Sequence, residues 1–130
     1  MTKKARFRIT PKDLAQKILS EVPPYNAFYF FDGVNKYSGI YAKSLIVFSN
    51  RLTSIDKKSL DFHFKRGDFE NWIRSTIGDS YLANEIAKID ESLEEEQVLS
   101  QVCKIINERL KELKQLLAQE EQYVEHDDDL

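Results

Sequence analysis

The chain has 130 residues, of which 42% are hydrophobic and 32% are charged, and its net charge is −3. This composition is typical of one globular domain and excludes a disordered or collagen-like chain. The single cysteine, Cys103, leaves no internal disulfide, and no apolar run reaches the ~20 residues of a membrane span. The sequence therefore predicts a cytoplasmic protein that does not enter a membrane.

The chain begins with a basic arm at residues 1–9, which is expected to fray, to add an edge strand or to contact phosphate groups. Thr10 then supplies an N-cap, and Pro11 suits the first position of a helix. The Pro23–Pro24 pair ends this helix, because proline cannot continue it. The basic residues of the arm are Lys3, Lys4, Arg6 and Arg8.

An aromatic run at residues 27–31 predicts a strand that is buried on both faces. Asp32-Gly33 predicts a turn, and residues 37–41 are expected to pair back as the second strand of a hairpin. Ser44 and Asp56 each precede an apolar helical pattern. We expect both side chains to cap the helices that follow them.

The densest mixture of large apolar and ionisable groups lies at residues 61–73. It falls within residues 57–89, where three short helices are predicted. Gly67 is expected to end the first helix in a left-handed conformation, and Asp68 to cap the second. Gly78 and Asp79 repeat this arrangement before the third helix. We expect a structural hub around the only tryptophan. Its predicted residues are His63, Gly67, Asp68, Phe69, Trp72, Ile73, Gly78 and Asp79.

Residues 91–123 contain neither Gly nor Pro and predict one long charged amphipathic helix of roughly 50 Å. An acidic tail follows at residues 124–130. Apolar residues recur along the helix at spacings of three and four. Such a stripe either folds back on its own domain or pairs as a coiled coil with a second copy or another protein. We expect partial packing plus a dimer contact. The predicted partner-binding residues are Val98, Val102, Ile106, Leu110, Leu113 and Leu117.

His63 is the residue that merits weighing as a catalytic group, because several carboxylates lie close to it in sequence. It has no Ser or Cys partner at a known spacing, and the chain offers too few His and Cys residues for a metal site. A structural histidine near Trp72, held by a backbone or carboxylate hydrogen bond, is the favoured interpretation. The sequence thus predicts no enzyme activity, no catalytic residue, no metal and no cofactor.

The three short helices are also compatible with a helix-turn-helix that binds nucleic acid. The third helix, residues 79–89, would then read the bases. It contains no arginine and offers little to bind phosphate or guanine. Nucleic-acid binding is therefore the alternative to protein interaction. The cations on or between these helices are Lys57, Lys58, Lys65, Arg66 and Arg74.

Five short motifs follow one another within residues 27–89. They are the aromatic strand ending in Asp32-Gly33, Ser44-Leu45, His63, Asp68-Phe69-Glu70-Asn71-Trp72-Ile73, and Gly78-Asp79-Ser80-Tyr81-Leu82-Ala83. Together they resemble the domain-of-unknown-function 5752 family of archaea and some bacteria. The resemblance covers about half of the chain and excludes residues 91–130. It implies no activity, and it suggests a reusable module that mediates contacts.

The sequence as a whole predicts an α+β, mostly α protein. A short β-hairpin and a cluster of short helices form a globular domain at residues 10–90, and the long helix follows it. The predicted function is a non-enzymatic protein–protein interaction or regulatory module. It would associate with itself or with another protein through the C-terminal helix.

Overall fold

The computed structural model describes the backbone of residues 10–128 and the side chains of residues 10–118. Within this part the chain is α+β and mostly α, with one antiparallel hairpin and a long C-terminal helix, which confirms the predicted fold class. Every helix in these ranges is too short or too polar to cross a membrane. The predicted basic arm at residues 1–9 lies outside the described residues.

The elements follow one another with short connections, and two irregular turns accompany them. The helices and strands are α1 (Pro11–Leu19), β1 (Phe28–Phe31), β2 (Tyr37–Ala42), α2 (Leu45–Arg51), α3 (Lys57–Arg66), α4 (Asp68–Trp72), α5 (Ser80–Ala87) and α6 (Glu95–Asp128). A 3₁₀ turn at Pro24–Asn26 precedes β1, and a π-helical turn at Ile73–Ile77 continues α4.

Among the predicted caps, Thr10 and Ser44 act as expected and Asp56 does not. The Thr10 hydroxyl accepts a hydrogen bond from the Asp13 N–H at 3.0 Å, and the Ser44 hydroxyl accepts one from the Val47 N–H at 3.1 Å. Each bond satisfies a first-turn donor that the helix itself leaves unpaired. Asp56 occupies the N-cap position of α3, but its side chain makes no capping hydrogen bond, so that prediction was wrong.

The two Gly-Asp junctions differ in how the aspartate is used. Gly67 and Gly78 both take left-handed conformations, with φ of 75° and 88°, as predicted for residues that end a helix. Asp79 caps α5 by accepting from the Leu82 N–H at 3.1 Å. Asp68 does not act as a cap, because α4 begins at Asp68 itself and Gly67 fills the N-cap position.

The hairpin places its aromatic residues on two different faces. β1 and β2 pair antiparallel in the register Phe28↔Ala42, Tyr29↔Tyr41 and Phe30↔Ile40, with an irregularity after Phe30. Phe28 and Phe30 are buried, while Tyr29 and Phe31 are only partly buried. The prediction of a strand buried on both faces was therefore wrong. Side chains alternate across a strand, and only one face of the hairpin meets the core.

The core is built on the inner face of the hairpin. The Phe28 ring centre lies 4.8–5.6 Å from five other aromatic ring centres, most of them in edge or tilted arrangements. Aromatic pairs at such distances add about 0.5–1.5 kcal/mol each beyond the area that they bury. These five rings belong to Phe30, Phe48, His63, Phe69 and Trp72.

The long helix α6 belongs to the same core. It begins at Glu95, later than the predicted residue 91, and contacts α1, α2, α3 and α5. Five of its six predicted partner-binding residues are buried against the rest of the chain, and Leu117 is partly buried. The stripe therefore packs on its own chain more fully than expected, and the dimer contact through the same residues stays a prediction. The five buried residues are Val98, Val102, Ile106, Leu110 and Leu113.

A buried ion pair joins α6 to the start of α5. The Arg109 side chain donates from Nε to Asp79 Oδ2 at 2.7 Å and from Nη2 to Asp79 Oδ1 at 3.1 Å. Only 14% of Arg109 and 2% of Asp79 side-chain surface is exposed. Burial alone would lower the pKa of Arg109, but the Asp79 and Glu112 carboxylates together outweigh burial, and the pKa is raised. The carboxylate that caps α5 therefore also anchors the long helix.

Candidate binding surface and the histidine beside it

The outer face of the hairpin is an aromatic surface. We use the name outer face for Tyr29, Phe31, Tyr37 and Tyr41, whose rings contact one another at centre distances of 5.5–5.7 Å. Tyr37 is 47% exposed and Tyr41 is 43% exposed. Val34, in the turn between the strands, is 73% exposed. Large exposed apolar groups that adjoin one another are characteristic of contact surfaces.

The tyrosines of the outer face are held in place by the backbone around them. The Tyr29 hydroxyl donates to the Pro24 carbonyl at 2.6 Å. The Arg51 guanidinium donates from Nε to the Tyr41 carbonyl at 3.2 Å, which ties β2 to α2. A surface that is already ordered loses little conformational entropy when it binds. Burial, followed by the nearby phenols of Tyr29 and Tyr41, raises the pKa of Tyr37.

A cleft of about 420 Å³ opens beside the outer face. We call it the edge cleft, because one wall is β1 with the turn that follows it, and the other wall is formed by α3 and α4. The first wall consists of Ala27, Phe28, Tyr29, Phe31, Gly33, Val34 and Asn35. The second consists of Phe62, His63, Arg66, Asp68 and Trp72. Its volume and its mixture of apolar and polar groups are those of a ligand-binding cleft.

His63 belongs to the helical wall of the edge cleft and forms hydrogen bonds with Phe31 of the β1 wall and with Asp68 of its own wall. Its Nδ1 lies 2.8 Å from Asp68 Oδ2, and its Nε2 accepts the Phe31 N–H at 2.8 Å. A backbone N–H can only donate, so Nε2 carries the lone pair and Nδ1 carries the proton that is donated to Asp68. Asp68, expected as a helix cap, serves instead to orient the histidine.

The ionisation of His63 follows from this arrangement. Burial is the largest influence and lowers the pKa of His63, because the imidazolium would lose its hydration. The hydrogen bond that Nδ1–H donates to Asp68, together with the negative charge of that carboxylate, opposes burial without overcoming it. A proton on Nε2 would also face the Phe31 N–H. His63 is therefore neutral near pH 7 and joins β1 to α4 through two directed hydrogen bonds.

The geometry of His63 disfavours a role as a general base. A general base must offer its lone pair to a substrate proton within hydrogen-bond reach. The lone pair on Nε2 is already used by the Phe31 N–H. His63 is also enclosed by aromatic rings, with centres 4.9–6.3 Å away. The structure thus places this residue in a joint between elements.

Trp72 adds a second joint on the same wall. The indole is buried, and its Nε1–H donates to the Asn26 carbonyl at 2.7 Å. This bond connects α4 to the turn before β1. Trp72 also packs against Phe28 and Phe48, with ring centres 5.6 and 5.2 Å away. The start of β1 is therefore fixed to the helix cluster from one side.

The structure distributes the eight predicted hub residues over two places. His63, Phe69, Trp72 and Ile73 are buried in the core beneath the hairpin, with Asp68 and Gly67 at the adjoining helix junction. Asp79, preceded by Gly78, instead pairs with α6 through Arg109. Sequence reasoning did not identify Arg109, because its partner lies 30 positions away and no local pattern connects them. The outer-face tyrosines were predicted as strand residues only.

Most cations of the predicted helix-turn-helix have acidic or polar partners within the chain. Lys57 pairs with Glu96 at 2.9 Å and Lys65 with Asp61 at 3.0 Å. Arg74 donates to Asn84 at 2.8 Å. The third helix, α5, turns its apolar side chains into the core. Within the described residues, these contacts leave only Lys58 and the terminal nitrogens of Arg66 without a partner, which is little positive charge for phosphate groups.

Among the side chains of residues 10–118, no group of three or more His, Cys, Asp or Glu residues is arranged to hold a metal ion. Comparison of the chain with protein-family models, with curated proteins and with solved structures gives no match. The resemblance of residues 27–89 to the domain-of-unknown-function 5752 family therefore stays a prediction.

Proposed function

We propose that the chain is a non-enzymatic protein-interaction module, and that the outer face of its hairpin is the surface that contacts the partner. The observation that carries the proposal is the pair of neighbouring tyrosines, Tyr37 and Tyr41, which are both close to half exposed on a rigid hairpin. Tyrosine is enriched at protein interfaces, because its ring supplies contact area and its hydroxyl stays hydrated until it finds a partner.

The rigidity of the hairpin supports this proposal. Phe28 and Phe30 anchor the inner face in the core. His63 accepts a hydrogen bond from the hairpin, and Trp72 and Arg51 donate hydrogen bonds to it and to the turn before it. A partner would therefore meet a preformed surface. Binding energy would not be spent on ordering it.

The outer face takes the place of the α6 stripe, which the sequence predicted as the contact surface. The apolar stripe of α6 is buried within the chain, so it stabilises the fold and leaves the hairpin as the best-supported contact surface. A version of the chain ending near Asp90 would lose this stripe from its core. Truncation would therefore test folding before it tested association.

The experiment compares three forms of the full chain. The double substitution Tyr37→Ser/Tyr41→Ser removes the exposed rings from the hairpin. Tyr81→Ser removes an exposed tyrosine from α5 as a control; the Tyr81 ring lies 4.9 Å from the Arg109 guanidinium carbon, so urea unfolding first establishes that this variant is folded. Sedimentation velocity shows whether a second copy is the partner, and co-purification from native cells identifies a different protein. We expect the double variant to lose the association and Tyr81→Ser to keep it. Equal association by all three forms would exclude the outer face.

Nucleic acid is a second candidate, and one observation favours it. Lys36, Lys43 and Arg51 lie in the sequence around the outer face, and aromatic rings beside cations are suited to stacking bases. A gel shift with a single-stranded oligonucleotide would test this. Binding that weakens steeply with salt and is lost in Tyr37→Ser/Tyr41→Ser would favour nucleic acid over protein.

A further inference from the structure

The outer edge of β1 faces the edge cleft. The Asp32 N–H donates to the Lys36 carbonyl at 2.8 Å, and the Phe30 carbonyl accepts from the Ser38 hydroxyl at 2.6 Å. The even-numbered residues of β1 therefore direct their backbone groups toward β2. Because these directions alternate along a strand, Tyr29 and Phe31 direct theirs toward the cleft.

The Phe31 backbone already has a hydrogen-bond partner in the cleft, and the Tyr29 backbone has none there among the described residues. The Phe31 N–H donates to His63, so the histidine takes the place that a neighbouring strand would occupy. Beyond the hairpin ladder, the described part of the chain provides no hydrogen-bond partner for the N–H or C=O of Tyr29. Tyr29 also lines the cleft. The cleft thus contains one unpaired position of a strand edge, which is a template for another strand.

On the opposite wall of the edge cleft, a guanidinium group lies over an aromatic ring. The Arg66 guanidinium carbon lies 4.5 Å from the centre of the Phe62 ring, and Arg66 Nε lies 3.4 Å from Asp68 Oδ2. Arg66 is 56% exposed, and among the described residues its terminal nitrogens form no hydrogen bond. Asp68 Oδ2 is also bonded to His63. Arg66 can therefore offer two planar donors to an incoming carboxylate.

We propose that the edge cleft binds an extended peptide segment that pairs with the backbone of Tyr29 as a third strand and places an acidic side chain against Arg66. This proposal rests on the proposed function, since it names the chemistry of a protein partner. Backbone pairing to a sheet edge gives affinity, and the groups beside it give specificity. Because His63 closes the edge at Phe31, the peptide has one register, centred on Tyr29.

The test begins with an array of capped hexapeptides of random sequence, incubated with the purified full chain. We expect the retained peptides to favour Asp or Glu over Lys or Arg at one position. The variant Arg66→Gln should lose this preference and bind the best peptide about tenfold more weakly or worse. The matched control Arg74→Gln changes a helical arginine outside the cleft and should keep both properties.

A second measurement tests the backbone pairing. In an NMR titration with the best peptide, saturable shifts should centre on the Tyr29 amide. A version of that peptide with its central backbone nitrogens methylated should bind about tenfold more weakly or worse, since it lacks the N–H donors. Failure of the array to retain any peptide, equal binding of the methylated peptide, or an acidic preference that survives Arg66→Gln would each overturn the proposal.

The experiments distinguish a failure of the edge-cleft proposal from a failure of the outer-face proposal. If partner association is lost in Tyr37→Ser/Tyr41→Ser while no peptide binds, the cleft proposal fails and the outer face stands. If peptides bind the cleft but the double variant keeps its partner, the outer face fails and the cleft stands. Displacement of the peptide by a single-stranded oligonucleotide would indicate that the edge cleft binds nucleic acid, and it would contradict the proposal that a peptide is its occupant.

Discussion

The two faces of the hairpin use the same class of residue for opposite purposes. On the inner face, Phe28 and Phe30 are buried and meet rings from three helices. On the outer face, Tyr37 and Tyr41 contact neighbouring aromatic rings and solvent. The phenolic hydroxyl marks the difference, because a ring with a polar end can remain in water at little cost. One face builds the domain, and the other is left for a partner.

The largest expected effect is on the inner face. Replacing Phe30 with Ala should lower the free energy of unfolding by about 3–5 kcal/mol, because it leaves a cavity among packed rings. Urea unfolding followed by the fluorescence of Trp72 measures this. Tyr41→Ala on the outer face should cost less than about 1 kcal/mol. Similar losses for both would show that the two faces do not differ as described.

The next effect concerns the ion pair that attaches α6. Asp79→Ala removes the cap of α5 and leaves Arg109 buried without its main partner, so it should cost about 3 kcal/mol of unfolding free energy. Glu112→Gln is the matched control, since Glu112 is an exposed partner of the same arginine at 3.3 Å. Its cost should stay below about 0.5 kcal/mol. A small effect of Asp79→Ala would mean that α6 is held by its apolar stripe alone.

A smaller effect should appear in the pH dependence of stability. Burial lowers the pKa of His63 in the folded chain, so below the ordinary value of 6.5 the unfolded chain binds more protons. The contribution of His63 is complete above that value and is lost as pH falls toward the folded pKa. The slope approaches about 1.4 kcal/mol per pH unit where the two states differ by one proton.

Unfolding curves between pH 7.5 and pH 5 measure this slope, above the range where most carboxylates titrate. His63→Gln should flatten it, because glutamine does not ionise. A slope that persists in His63→Gln would assign the pH dependence to other groups.

The smallest expected effect on stability belongs to the outer face. Tyr37→Ser/Tyr41→Ser should change the free energy of unfolding by less than about 1 kcal/mol, because the rings are close to half exposed. The same variant should lose partner association. A large loss of stability would instead make these tyrosines part of the folding core.

Local signals in the sequence were sufficient for the starts of α1, α2 and α5 and for the hairpin. Thr10, Ser44 and Asp79 act on backbone groups three residues away, and Gly67 and Gly78 adopt conformations that glycine favours. Such effects depend on short stretches of chain. They can be predicted without knowledge of the tertiary structure.

The contacts that define the candidate site could not be predicted from the sequence, because they join residues that are far apart in the chain. The His63–Phe31 bond spans 32 positions, and the Trp72–Asn26 bond spans 46. Asp68 has the sequence pattern of a helix cap, but its carboxylate accepts a hydrogen bond from the buried Nδ1–H of His63, which would otherwise lack a partner. The apolar stripe of α6 has the same spacing whether it packs on its own chain or on a partner. The sequence therefore left that choice open.

Photo-crosslinking tests the central claim most directly. A photoreactive phenylalanine analogue in place of Tyr37, in the full chain expressed in its native cells, should give a discrete protein adduct on irradiation. The same analogue in place of Tyr81 should give none of that species. Adducts of equal yield from both positions, or no protein adduct from position 37, would contradict the account of the outer face as the interaction surface.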